Sequence, residues 1–150
     1  MSKVFKSASE QETAEIAEKM AQIAKTGDIF ALNGTLGAGK SVFARAFIQK
    51  LTKAPEVPSP TFTLVQMYVA PDFDIYHYDL YRLKNPEEIF ELNAEEAFYS
   101  GVCLVEWPEK MGMLAPRNMW KVDFEVKGGE RIITISSDDA EKTERLQNVR

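Results

Sequence analysis

The sequence contains a single cysteine, a single histidine and no long apolar run. One cysteine excludes a disulfide framework, and the position of Cys103 within the apolar run 102–105 favours a buried, unreactive thiol. The histidine, His77, lies in an alternating segment, where a lone histidine is more often structural than catalytic. No apolar stretch approaches the roughly 20 residues that cross a bilayer, and the polar start MSKVFKSASEQE does not resemble a signal peptide. We therefore expect a cytoplasmic protein that makes no use of a membrane.

An excess of basic residues is also absent, because the net charge is −5 at pH 7. Residues 1–53 carry eight Lys and Arg against five Asp and Glu, whereas residues 54–150 carry ten against eighteen. A protein that binds nucleic acid by itself needs a basic surface to contact the phosphates. The composition therefore argues against direct nucleic-acid binding, although it allows a modestly basic face in the first third of the chain.

The most informative segment is GDIFALNGTLGAGKS at residues 27–41. A short apolar strand leads into a glycine-rich loop whose spacing, Gly34-x-x-x-x-Gly39-Lys40-Ser41, matches the phosphate-binding loop without a mismatch. Glycines allow successive backbone amides to face phosphate oxygens, the lysine places a positive charge on the β- and γ-phosphates, and the serine hydroxyl binds Mg²⁺. The segment predicts a nucleoside triphosphate site. Its predicted phosphate-binding residues are Gly34, Thr35, Leu36, Gly37, Ala38, Gly39, Lys40, Ser41 and Val42.

Two carboxylates stand at the ends of predicted strands and are candidates for the same site. Asp79 ends the segment 74–79, and Glu106 ends the unbroken apolar run 102–105, the form expected of a Walker B strand. Ligands of open α/β sheets collect beyond the carboxyl ends of the strands. Asp79 is therefore a candidate metal ligand, unless it caps a turn and pairs with Arg82. Glu106 is a candidate to bind Mg²⁺ through water or to polarise the attacking water.

Four further residues are candidates for this site, and three of them have a structural alternative. Two nearby prolines stiffen the chain around Thr61, whose hydroxyl suits a sensor of the γ-phosphate; a proline-bounded entry into a strand is equally compatible. Glu12 and Thr13 are candidates for contact with the nucleotide base, although a capping box with Ser9 explains Glu12 without any ligand. Trp107 is a candidate to stack on the base or to face a partner, and a packing role is the alternative.

The order of predicted elements indicates a single α/β domain over residues 1–150. We predict a P-loop NTPase with three layers, αβα, and a mixed, largely parallel central sheet with antiparallel hairpins. The hairpins are predicted over 63–79 and 120–136, the second at the edge of the sheet. Two short helices with a bend near Asn93 are predicted after Asn85. Residues 1–8 are expected to be loose, and residues 138–150 are expected to be loose or to form a marginal helix.

The phosphate-binding loop does not choose among the protein classes that share it. The sequence lacks the Asn-Lys-x-Asp motif of GTPases and the signature helix of ABC-type ATPases. A small-molecule kinase remains possible, although its arginine-bearing lid is not evident. A nucleotide-dependent binding switch that hardly hydrolyses its ligand is the alternative outside catalysis.

Four motifs, taken together and in this order, resemble the TsaE family of bacterial ATPases. They are GTLGAGKS at 34–41, VPSPTFTLV at 57–65, HYDLYRL at 77–83 and LVEWPE at 104–109. The resemblance runs from about residue 12 to about residue 135 and includes Arg131 before the last strand. Two positions depart from the usual pattern. Ser41 stands where threonine is usual and keeps the hydroxyl, and Asn93 stands where glycine is usual and tolerates left-handed geometry.

The resemblance implies a Mg²⁺-dependent ATPase that serves as an accessory factor in making threonylcarbamoyladenosine in tRNA. Such a protein docks on the TsaB–TsaD complex, hydrolyses ATP to drive or reset that complex, and meets tRNA only indirectly. The implied cofactors are ATP and Mg²⁺. The implied catalytic residues are Lys40, Thr61 and Glu106; the implied metal site consists of Ser41, Asp79 and Glu106; and Trp107 stands at the end of the Glu106 strand. Because no arginine finger is evident, we expect weak hydrolysis without the partner.

Overall fold

The computed structural model describes residues 1–149, which form one seven-stranded sheet with helices on both faces. The strands are β1 (Ser2–Ser7), β2 (Ile29–Asn33), β3 (Val65–Val69), β4 (Asp74–Asp79), β5 (Val102–Glu106), β6 (Trp120–Lys127) and β7 (Glu130–Ser136). The α-helices are α1 (Glu10–Ile23), α2 (Lys40–Leu51), α3 (Ala94–Ser100) and α4 (Ala140–Gln147). Short 3₁₀ segments cover Pro86–Leu92 and Pro108–Leu114.

The strand order is β1-β7-β6-β2-β5-β4-β3. The central pairs β6–β2, β2–β5 and β5–β4 are parallel, whereas the outer pairs β1–β7, β7–β6 and β4–β3 are antiparallel. The predicted mixed sheet with two hairpins is therefore confirmed, but the sheet is parallel only in its centre. The centre is parallel because β2 and β5 are apolar on both faces and need cover on each side.

Two apolar clusters provide that cover. Side chains of α1, α2 and α4 pack on one face of the sheet, and α3 with the 3₁₀ segments packs on the other. Cys103 is buried in the second cluster, where desolvation raises the pKa of its thiol, as expected for an unreactive cysteine. The bend predicted near Asn93 is confirmed, since this residue has φ 60° and ψ 31° between the 3₁₀ segment and α3.

The prediction of a loose start was wrong, and of the two alternatives for residues 138–150 the helix is the one present. Residues 2–7 form β1, which pairs with β7 from Ser2↔Ser136 to Ser7↔Arg131, so β7 is not an edge strand. At the other end, α4 buries Leu146, and Arg145 donates two hydrogen bonds to the Asp28 carboxylate at 2.6 and 2.9 Å. Both attachments join residues more than 100 positions apart, and local periodicity carries no signal for such pairings.

The sheet brings three chain segments to one edge. Leu32 of β2 and Asp79 of β4 both lie beside Glu106 in the register of β5. The glycine-rich loop that follows β2 therefore begins next to the two acids that end β4 and β5. Within residues 1–149, no helix combines the length and apolar character needed to cross a membrane.

Candidate functional site

A cavity of about 500 Å³ opens at this edge of the sheet. It collects most of the residues that the sequence predicted for the nucleotide site. These are Thr13, Leu36, Gly37, Gly39, Lys40, Ser41, Val42, Thr61, Asp79, Glu106 and Trp107.

The glycine-rich loop has the geometry that its composition predicts. Gly39 has φ +109° and precedes α2 without any side-chain cap, which leaves the first amides of the helix free of a capping oxygen. A Cβ atom on Gly34 would lie 2.9 Å from Cβ of Phe124, so β6 requires glycine at that position. Gly37, Gly39 and the first residues of α2 line the cavity, so the positive end of that helix lies beside it, an arrangement suited to an anion.

Lys40 brings a buried positive charge to the cavity. Its side chain is 5% exposed, and Nζ makes no hydrogen bond within residues 1–149. Nζ lies 4.0 Å from the ring centroid of Trp107, so a cation–π contact provides its direct stabilisation. Burial lowers the pKa of Lys40, while the charges of Glu106, Glu109 and Asp79 oppose that shift. The ammonium group has three N–H donors and no hydrogen-bond acceptor within residues 1–149, so it is available to an anionic ligand.

This cost of burying Lys40 predicts that the nucleotide-free Lys40→Met variant is more stable than the wild type at neutral pH. The pKa of Lys40 in the folded protein lies below the ordinary lysine value of 10.5, so ionised Lys40 destabilises the fold at any pH below that folded pKa. The penalty shrinks as the pH rises from the folded pKa towards 10.5, because the folded side chain then loses its proton first. The melting-temperature gap between variant and wild type should be widest near pH 7 and close at alkaline pH. Lys50→Met, at an exposed position of α2, should show no such gap.

Asp79 is held by two donors at the carboxyl end of β4. Thr61 Oγ1 donates to one carboxylate oxygen at 2.9 Å, and the amide of Tyr81 donates to the other at 3.0 Å. The predicted turn-capping role is therefore present, but pairing with Arg82 is not, since that guanidinium lies 4.4 Å from the ring centroid of Phe62. Ser59 hydrogen-bonds Thr61 at 2.7 Å, which links the proline-rich connection to the acid.

Glu106 makes a hydrogen bond with His77, a residue that was expected from the sequence to be structural. His77 Nε2 lies 2.7 Å from Glu106 Oε2, and both side chains are buried. The alternation of β4 places His77 on the same face as Asp79, two residues away. This spacing of two residues was the sequence signal that His77 faces the site. It points to Glu106 only once β5 is known to be the neighbour of β4.

The oxygen donors in the cavity fit a magnesium ion that arrives with a nucleotide. Ser41, Asp79 and Glu106 all line the cavity and offer hard oxygen ligands. In the described part of the chain, no group of three or more His, Cys, Asp or Glu residues could hold a metal by itself. Mg²⁺ commonly takes one or two carboxylates and completes its octahedron with water and substrate phosphates. The residue set is consistent with that mode and not with a cage made wholly of protein.

Several predicted residues lie outside the cavity lining. Gly34, Thr35 and Ala38 belong to the loop but do not line the cavity. Glu12 does not line it either, because its carboxylate accepts a hydrogen bond from the amide of Ala8 at 3.3 Å. Thr13 does line it and hydrogen-bonds Ser7 at 2.7 Å.

The structure adds cavity residues that were not among the sequence candidates, notably Ser7, Glu10, Gly129 and Arg131. They come from the ends of β1 and β7 and from the first turn of α1. Arg131 donates a hydrogen bond to the carbonyl of Gly37 at 3.3 Å and adds a second cation beside the loop. Apart from Arg131, which the resemblance included, the sequence gave no sign of this wall, and Ser7 reaches Arg131 only through the long-range pairing of β1 with β7.

Comparisons with known proteins relate the chain to one biosynthetic family. The family model "Threonylcarbamoyl adenosine biosynthesis protein TsaE" matches residues 7–133. The tRNA threonylcarbamoyladenosine biosynthesis protein TsaE of Rickettsia conorii is 43% identical over 138 residues, which span 91% of this chain and 79% of that protein. The Bacillus subtilis protein of the same name is 37% identical over 129 residues, spanning 85% and 80%. The crystal structure of Bacillus subtilis YdiB is similar with a TM-score of 0.81 at 27% identity, covering 99% of this chain and 94% of that one.

Proposed function

Because the chain belongs to the TsaE family of threonylcarbamoyl adenosine biosynthesis proteins, we propose that it is a P-loop NTPase that binds and hydrolyses Mg²⁺·ATP in this tRNA modification. The observation that carries the proposal is Lys40, whose buried ammonium group has no hydrogen-bond partner within residues 1–149. It projects into a cavity lined also by the loop glycines and by two carboxylates. A triphosphate supplies the missing acceptors, and its metal ion would use the carboxylates.

The chain's own groups divide the work of hydrolysis. Loop amides and Lys40 stabilise the negative charge that develops as the bond between the γ-phosphorus and its bridging oxygen breaks. Glu106 orients a water molecule for attack on the γ-phosphorus and accepts its proton, so that ADP and inorganic phosphate are the products. Thr61 stays hydrogen-bonded to Asp79 and reports the state of the γ-phosphate to the 57–65 segment. Mg²⁺, when bound near Ser41, Asp79 and Glu106, would neutralise phosphate charge.

An apolar collar around the mouth of the cavity supports docking of a protein partner. We define the collar as Leu36, Phe62 and Tyr81, whose exposed fractions are 88%, 79% and 57%. Leu36 lines the cavity, Phe62 follows Thr61, and Tyr81 lies with its ring centroid 5.0 Å from that of Trp107. Exposed apolar groups that surround a ligand site commonly mark an interface. We propose that the TsaB–TsaD complex covers this collar, and that tRNA is met only through that complex because the net charge is −5.

The test is phosphate release from Mg²⁺·ATP, measured for the protein alone, for TsaB–TsaD alone and for the mixture. We expect slow release by the protein alone and a rise of at least about tenfold in the mixture, since electrostatic completion of a site by a partner is worth this much or more. Equal rates in the mixture and in the summed separate reactions would contradict partner activation. A phosphorylated small-molecule acceptor in place of free phosphate would indicate a kinase. ATP-dependent pull-down without phosphate release would indicate a binding switch.

A further inference from the structure

The buried contact between His77 and Glu106 is not explained by phosphate binding or by metal ligation. His77 is 2% exposed on β4, and its Nε2 lies 2.7 Å from Glu106 Oε2. In the register of the two strands His77 is opposite Leu104, so the imidazole reaches Glu106 diagonally, two residues along β5. The contact therefore depends on both strands and on the extended backbone of each.

The two oxygens of Glu106 have different surroundings. Oε2 is bonded to His77, whereas Oε1 makes no hydrogen bond to any of residues 1–149. Glu106 lines the cavity, so the unbonded oxygen is the one available to a water molecule there. A carboxylate held by one oxygen keeps a fixed direction for the other, which is the condition for orienting an attacking water.

His77 has no competing polar role. Its Nδ1 is buried and makes no hydrogen bond within the described chain, so Glu106 is the one polar partner that the ring has there. The neighbours on the same face, Ile75 and Leu104, belong to the apolar core. The unpaired Nδ1 carries a desolvation cost, and the contact with Glu106 is the polar interaction of the ring that offsets it.

We propose that His77 is a positioning residue that donates a hydrogen bond from Nε2 to Glu106 and fixes its free oxygen towards the attacking water. The inference rests on the proposed ATPase function and deepens it. Loss of the hydrogen bond should lower kcat for Mg²⁺·ATP hydrolysis and leave nucleotide affinity nearly unchanged, because His77 does not line the cavity.

A pair of amide variants tests this role. The amide nitrogen of glutamine reaches the position of Nε2, whereas that of asparagine falls one bond short, near Nδ1. His77→Asn should lower kcat by about 10- to 100-fold, the usual effect of removing a group that orients an active-site ligand, while His77→Gln should keep kcat within about fivefold of wild type. KM for Mg²⁺·ATP, measured with TsaB–TsaD present, should change by less than about threefold in both, as expected for loss of a transition-state interaction.

Ile75→Val is the matched control, because it shortens a buried side chain on the same strand and face without touching Glu106. It should lower the melting temperature and leave kcat unchanged. If His77→Asn fails to fold, His77→Leu replaces it, since leucine packs in the apolar surroundings and also lacks the donor. Equal kcat for asparagine, glutamine and wild type, or a loss confined to KM, would overturn the role of His77. A wild-type protein that releases no phosphate would overturn the proposed function itself, which is a distinguishable result.

Discussion

Lys40→Met should abolish measurable binding of Mg²⁺·ATP and lower phosphate release by at least about 100-fold, the usual effect of removing one charge-stabilising donor from a transition state. The reason is local. Lys40 is the buried cation of the cavity, and its Nζ has no acceptor in the described chain that could compete with a phosphate. Methionine keeps the length of the stem and its packing near Trp107 but removes the three donors. Isothermal titration with Mg²⁺·ATP and a phosphate-release assay with TsaB–TsaD measure the two effects.

The control for Lys40→Met is Lys50→Met on the same helix. Lys50 is exposed near the end of α2 and does not line the cavity that contains Lys40, so both titration and phosphate release should match wild type. Combined with the higher stability expected of the nucleotide-free Lys40 variant, the result would show that the charge is kept for ligand binding at the expense of the fold. Retained affinity in Lys40→Met would remove this residue from the mechanism.

The candidate residues that the structure brings together at the cavity are those whose sequence signals are local. The loop from Gly34 to Ser41 carries its spacing within eight residues. The apolar run 102–105 stands directly before Glu106, and Asp79 ends the strand predicted over 74–79. Parallel strands then bring these ends together, because carboxyl ends of neighbouring parallel strands lie on one edge. No contact across the chain had to be known in advance.

The parts that could not be predicted depend on pairings between distant segments. Arg131 and Ser7 enter the cavity wall because β1 pairs with β7, and the alternating residues 2–7 are too few to predict that pairing. The contact of His77 with Glu106 could be predicted only from the register of β4 against β5, and no pattern in the sequence indicates that register. The polar residues 138–150 were expected to be loose or a marginal helix, and the contact that fixes α4 joins Arg145 to Asp28, a partner 117 positions away.

The two carboxylates of the cavity, Asp79 and Glu106, differ in their hydrogen bonds. Both oxygens of Asp79 accept hydrogen bonds, from Thr61 and from the amide of Tyr81, so this side chain is fixed and its remaining lone pairs suit a metal or its water shell. Glu106 has one oxygen bonded and one free. The first arrangement favours a static ligand and the second a group that exchanges a proton with water. Substitution of Asp79 and substitution of Glu106 should therefore have different effects on nucleotide binding and on phosphate release.

Glu106→Gln is expected to bind Mg²⁺·ATP with an affinity within a few-fold of wild type and to release phosphate about 10²- to 10⁴-fold more slowly, the range for loss of a general base. Glutamine keeps the shape of the side chain and one oxygen, but it cannot accept the proton of the attacking water. Single-turnover phosphate release with TsaB–TsaD measures the chemical step, and titration of nucleotide measures binding. Asp79→Asn should show the opposite balance, with weakened Mg²⁺-dependent binding.

Glu109→Gln is the matched control for this prediction. Glu109 is an exposed carboxylate three residues further along, and its charge also acts on Lys40, but it does not line the cavity. If the effect of Glu106→Gln came from altered charge around Lys40, both glutamine variants would slow phosphate release. If it comes from proton transfer at the free oxygen, Glu106→Gln alone will be slow and Glu109→Gln will match wild type. Weaker nucleotide binding together with an unchanged single-turnover rate in Glu106→Gln would assign Glu106 to the metal site and leave the attacking water without a base.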